Sequence, residues 1–159
     1  MRCAGLALAA ALLVAGSEAQ AASRLTEAQA RAFAARQEAA WNARDLDRFF
    51  ATFTKDAVFT DQTRDPKRGL IPYGSSGLAK ARQQSAAFLA KSTSVERGTV
   101  DKVEIAADGQ SARLTGREIT TIATGGRTRR VCADTEQTLV LVGGTLRSKG
   151  QTDTVVRCR

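Results

Sequence analysis

The chain has 159 residues, with 24 Lys and Arg against 16 Asp and Glu, a formal net charge of +8, and no histidine. Without histidine there is no Ser-His-Asp triad, no histidine base and no nitrogen ligand for a zinc centre, so neither a metal nor a cofactor is expected. The aromatic residues are too scattered for base-stacking platforms, and the basic ones are dispersed apart from Arg127, Arg129 and Arg130. The positive balance therefore reads as a solvated surface with no nucleic-acid partner.

Met1 and Arg2 precede an apolar run from Ala4 to Ala15, and Ala19-Gln20-Ala21 then offers a small-x-small cleavage pattern. The run is short of the roughly 20 residues that span a bilayer. Residues 1–21 are thus expected to be a signal peptide and residues 22–159 a single domain, periplasmic or secreted, with no stable membrane insertion. Cys3 lies before the apolar run and cannot be the acylated cysteine of a lipoprotein. Cys132 and Cys158 survive cleavage, and in an oxidising compartment two thiols are expected to form a disulfide.

From Thr26 to Ala43, Ala28, Ala32, Phe33, Ala35, Ala39 and Ala40 recur at helical spacing behind Thr26 as N-cap. Asp45 starts a second short helix, with Leu46, Phe49, Phe50 and Phe53 on one side. Ala57 to Asp61 reads as a strand, and Gln62 through Gly74 as a long polar, Gly- and Pro-containing loop. A third helix is expected from about Ser76 to Lys91. Beyond Ser94 the pattern changes to a period of two, and strands at about 94–106, 111–123, 128–142 and 145–157 are separated by Asp108-Gly109, Gly125-Gly126 and Gly143-Gly144. Such pairs are two-residue hairpin signals. The fold class is α+β, with helices on one face of a curved antiparallel sheet.

The stretch from Trp41 to Phe50, then Phe53, then Lys55 to Asp61, resembles the opening of the nuclear transport factor 2-like superfamily, in its SnoaL-like and ketosteroid isomerase-like branches. The resemblance implies a cystatin-like cone whose three helices and strongly curved sheet enclose a hydrophobic pocket, and it allows a homodimer. It places Asp61 where the isomerases carry a general base, a role open to a carboxylate against a dry wall. The isomerases' hydroxyl donor falls near Gln37 and their protonated acid near Glu136 or Gln137, so the rest of that machinery is missing.

If both Gly-Gly pairs are two-residue turns, Leu114, Glu118 and Ile122 share a face with Val131, Thr135, Gln137, Leu139, Leu141 and Leu146. This face is the more apolar, which makes it the interior and puts Glu118 and Gln137 in or at the rim of the pocket. Arg117, Asp134, Glu136, Lys149 and Asp153 then point outward, with Arg117 opposite Asp134. The same count sets Cys132 against Val155 and leaves Cys158 on the wrong face unless a bulge or a strand end turns it. Trp41, Phe50 and Phe59 are expected to line the pocket around Asp61, and Tyr73 to lie over its mouth as an adaptable donor. The leading expectation is a small-molecule-binding domain for an apolar or amphipathic ligand, with no assignable chemistry. The alternatives are an isomerase or lyase using Asp61 as base, with Glu118, Gln137 or Tyr73 as partner, and a homodimeric interaction module.

Overall fold

The computed structural model describes residues 24–158; the signal peptide expected over residues 1–21 lies outside them. Helix α1 (Glu27–Asn42) opens on a reciprocal cap, in which Thr26 Oγ1 accepts from the Gln29 N–H while Gln29 Oε1 accepts from the Thr26 N–H. It closes with the N–H groups of Arg44 and Asp45 donating to the carbonyls of Trp41 and Ala40, at 2.8 and 2.9 Å. That closure needs a left-handed residue where glycine usually sits, and Arg44 takes it with φ 60°. Asp45 then caps α2 (Leu46–Phe50), accepting from the Arg48 N–H at 2.9 Å.

Strands β1 (Phe53–Asp65) and β2 (Gly69–Gly77) form a hairpin, and α3 (Leu78–Lys91) follows. The Arg44 guanidinium donates to the carbonyls of Leu89 and Ser92 at the end of α3, where positive charge also suits the helix dipole. Strands β3 (Thr93–Ile105), β4 (Ser111–Thr124), β5 (Arg127–Val142) and β6 (Thr145–Val156) complete one sheet in the order β2-β1-β6-β5-β4-β3. Every pairing is antiparallel except β1 with β6. This is the expected α+β cystatin-like cone, three helices against a curved six-stranded sheet.

Three local expectations are corrected. The segment 62–74 is not a loop but the far half of the β1–β2 hairpin. Its proline misleads, because Pro72 lies on the edge strand, where a missing N–H need not interrupt the ladder. Asp108-Gly109 sits in a four-residue loop, since the Ala106 N–H donates to the Ser111 carbonyl. Only the two Gly-Gly turns are two-residue loops, and their four glycines all have positive φ as the favoured hairpin turn requires.

The third correction changes the site. The turn at Gly143-Gly144 sets Val142 opposite Thr145 and Leu139 opposite Ser148, but Gln137 then pairs with Gln151. One residue more lies on β6 than on β5 across this interval, so a bulge forms at Lys149-Gly150. Gly150 has φ 125°, and a Cβ there would lie 1.8 Å from the Val58 carbonyl oxygen on β1. From Gln151 onward the faces of β6 are exchanged relative to an unbulged strand. Asp153, expected outside opposite Asp134, instead pairs with Thr135 on the inner face, and Cys132 faces Val156 rather than Val155. Cys158 thereby returns to the side of Cys132, and the two are joined with Cα atoms 5.3 Å apart.

Two hydrophobic clusters hold the helices to the sheet. One gathers Phe33, Leu25 and Ala30 against Ala112, Leu114 and Leu139. The other packs Phe50, Phe53 and Ala57 against Ala81, with Phe49, Phe59 and Leu78 at its edge. Among the described residues no helix is long and apolar enough to cross a membrane.

Candidate binding cleft

A cleft of about 770 Å³ opens between the helices and the inner face of the sheet, within the range that holds drug-sized ligands. Its helical wall is aromatic. Trp41 stacks near-parallel on Phe88 with centroids 6.5 Å apart and meets Phe49 at 5.3 Å, while Phe50 meets Phe59 at 6.0 Å. The helical spacing of α1 turns Gln37, Glu38 and Trp41 toward the sheet, and α3 adds Gln84, Ser85 and Phe88.

The sheet wall is polar and acidic. Alternation along β3 sends Ser94 and Glu96 inward, opposite Ile122 and Thr120. On β4 it sends Glu118 inward, and after the Gly150 bulge it sends Gln151 and Asp153 inward from β6. Gln137 Nε2 donates to Gln37 Oε1 at 3.0 Å, Gln37 Nε2 donates to Thr52 Oγ1 at 2.7 Å, and Gln151 Nε2 donates to Asp153 Oδ1 at 2.8 Å. Glu118 accepts from the Thr120 hydroxyl at 2.8 Å, and Glu38 accepts from the Gly98 N–H at 2.9 Å. This network leaves two buried groups of the cleft lining unmet. Trp41 and Ser94 are only 9% and 5% exposed, yet Trp41 Nε1 and Ser94 Oγ have no hydrogen-bond partner among the described residues.

Crowding of acids in a low-dielectric wall raises their pKa values, first through lost hydration and then through mutual repulsion. Burial, reinforced by Glu118, Asp153 and Glu38, pushes Glu96 up to about 9. Burial and the Glu118 charge push Asp153 up to about 7 against the stabilising bond from Gln151. Glu118 is raised by burial as well, with the Thr120 bond opposing.

The expected site residues fall into two groups. Trp41, Phe50, Phe59, Glu118 and Gln137 line the body of the cleft. Asp61 and Tyr73 lie at its rim, both exposed. Asp61 is therefore not enclosed by Trp41, Phe50 and Phe59, and only partial burial raises its carboxyl. Tyr73 is the extra residue where β2 bulges beside Asp61 and Gln62, and it is 62% exposed. Burial, then the charges of Asp61 and Asp153, raise its phenol. Asp61 and Asp153 occupy partnered positions on β1 and β6. Sequence reasoning missed Glu96, Ser94 and Asp153. The signal for Asp153 was a glycine inside a strand, which marks a bulge, and for Glu96 it was the even-numbered register it shares with Ser94.

The model of the SnoaL-like domain matches residues 31–142 of this chain. No curated protein matches it. Among solved structures, a ketosteroid isomerase-like protein from Erwinia carotovora atroseptica is 14% identical, with a TM-score of 0.62 over 84% of this chain and 100% of that one. A protein from Nostoc punctiforme with a cystatin-like fold is 19% identical, with a TM-score of 0.56 over 84% and 96%. A Catenulispora acidiphila protein solved in complex with S-DNPA is 18% identical, with a TM-score of 0.58 over 80% and 91%. These likenesses carry the fold alone and agree with the cone, and the family match covers most of the described residues: the chain belongs to the SnoaL-like domain family of the nuclear transport factor 2-like superfamily.

Proposed function

We propose that the cleft binds a small amphipathic molecule, and that the protein does so after export and removal of residues 1–21. The observation that carries this reading is the pair of buried, unmet polar groups, Trp41 Nε1 and Ser94 Oγ, in a cleft with an aromatic wall. Buried polar groups are normally satisfied, and a ligand with an apolar body and polar ends supplies both partners. The Catenulispora neighbour, solved in complex with S-DNPA, supports this reading. Trp41 is the single tryptophan of the chain, so its fluorescence reports occupancy directly. Native mass spectrometry of protein purified from its own host should reveal a bound small molecule, and releasing it should shift the Trp41 emission. A protein that carries no ligand, and whose emission no amphipathic compound changes, would refute the reading; exported protein retaining residues 1–21 would refute their removal, and protein confined to the cytoplasm would refute the export.

A second reading, proton transfer, is favoured by the partnered carboxylates Asp61 and Asp153 beside the Tyr73 phenol. Here Asp61 is the base and Asp153, pushed up to about 7, is poised to hold or give a proton at neutral pH. It requires that Asp61→Asn lower any turnover by more than about tenfold, or ~1.4 kcal/mol of barrier; retained turnover removes Asp61 from that role.

A further inference from the structure

The net charge of the chain is +8, yet the cleft collects carboxylates from four separate strands and one helix. Asp61 comes from β1, Glu96 from β3, Glu118 from β4, Asp153 from β6 and Glu38 from α1. Among the described residues no cation answers them deep in the cleft. Arg31 is engaged by Glu27 and the Val100 carbonyl, and Arg117 by Asp134. Arg129 of β5 is exposed near the strand end, and the α3 lining is uncharged. A surface rich in Lys and Arg therefore encloses an acidic interior, the reverse of what the overall charge suggests.

Given the small-molecule reading above, on which this inference rests, we infer that the ligand is an organic cation, with an ammonium-type group against Glu96, Glu118 and Asp153 and an apolar body against Trp41, Phe49 and Phe88. Three features support it. The carboxylates line the sheet wall while the aromatic rings line the helical wall, so a molecule spanning the cleft meets acids at one end and apolar ring faces along its body. Ser94 Oγ, buried and unmet, lies on the same inward face as Glu96 two residues on and can accept from an ammonium N–H. Finally, among the described residues no three Asp, Glu or Cys side chains converge as metal ligands. The carboxylates are spread along a wall, which suits an ammonium group carried on an organic body better than a bare metal ion.

The test is a matched set of naphthalene compounds differing only in the end group, 2-naphthylmethylammonium, 2-naphthylmethanol and 2-naphthoate, titrated calorimetrically into the full-length mature protein. The ammonium compound should bind at least about tenfold more tightly than the alcohol, and the carboxylate should bind weakest. Cation affinity should rise from pH 6 to 8, a range in which the probe itself stays protonated, with measurable proton release, because the ammonium competes with protons for the same carboxylates. Glu118→Gln and Asp153→Asn, each checked for folding by circular dichroism, should weaken the ammonium compound several-fold more than they weaken the alcohol. If the alcohol or the carboxylate binds as tightly as the cation, the charge inference fails and the binding cleft stands. If none of the three binds, the cation inference fails, and the native mass spectrum decides the binding cleft separately. The pH series on unaltered protein decides the matter should either variant not fold.

Discussion

Replacing Gly150 with alanine should be among the most damaging single-methyl changes available to this fold. The backbone there has φ 125°, and the new Cβ would sit 1.8 Å from the Val58 carbonyl oxygen and 2.7 Å from the Val58 nitrogen. A residue with a side chain in that region of φ carries strain of about 1–3 kcal/mol. The contact cannot be relieved by a rotamer, since both partners are backbone; β1 and β6 must move apart across the ladder that runs from Val58–Gly150 to Thr63–Val155. A total loss of about 3 kcal/mol or more is expected, at the damaging end for point substitutions. Gly143→Ala is the control. It also sits at positive φ, 56°, but has nothing within 4 Å, so it should lose only the left-handed penalty of about 1–2 kcal/mol. Urea unfolding of the two variants under oxidising conditions gives both numbers. If Gly150→Ala proves no worse than Gly143→Ala, the close approach of β6 to β1 is wrong, and with it the bulge that turns Asp153 inward.

Two further predictions concern the acids and the cysteines. Glu96 and Asp153 hold their protons more tightly folded than unfolded, with pKa values raised to about 9 and about 7. Their stabilising contribution is therefore full at about pH 4 and is lost as pH rises through 7 and then 9, a fall on the order of 3 kcal/mol between pH 5 and 8 after allowance for residual solvation. Urea midpoints at the two pH values should show it, and Asp153→Asn should flatten part of the slope; stability that is level or rising with pH would show that these groups remain hydrated. The Cys132–Cys158 bond closes a separation of 26 residues, so reduction should lower stability by about 3 to 4 kcal/mol in the loop-entropy model. Two thiols titrating in unfolded, unreduced protein would show that no bond forms.

What the sequence revealed of the fold follows the strength of each local code. Thr26 as N-cap, and Asp45 ahead of Leu46, mark helix starts that the structure keeps within a residue or two. The Gly-Gly pairs placed the turns of β4 to β6, because few other residues accept two successive positive φ angles. Polar composition misled over 62–74, where Pro72 and Gly74 suggested a loop. Edge strands carry such residues precisely because one side of the strand makes no ladder bonds, so composition cannot separate an edge hairpin from a loop.

The inner face of the site was half legible for a related reason. Hairpin counting from Gly125-Gly126 placed Glu118 and Gln137 inside, and it put Arg117 opposite Asp134, where they meet at 3.2 Å on the outer face. The same count failed beyond Gly150, since a period of two survives only until an extra residue enters one strand. That residue brings Asp153 beside Thr135 and onto the wall that Glu96 and Glu118 occupy, and it also brings Cys158 to the side of Cys132. A count of charges could not expose this arrangement, because sixteen acids dispersed among twenty-four bases look the same in composition whether or not the fold gathers a few of them in one cleft. The character of the cleft wall is thus decided less by the charge of the chain than by one glycine that sets the parity of its last strand.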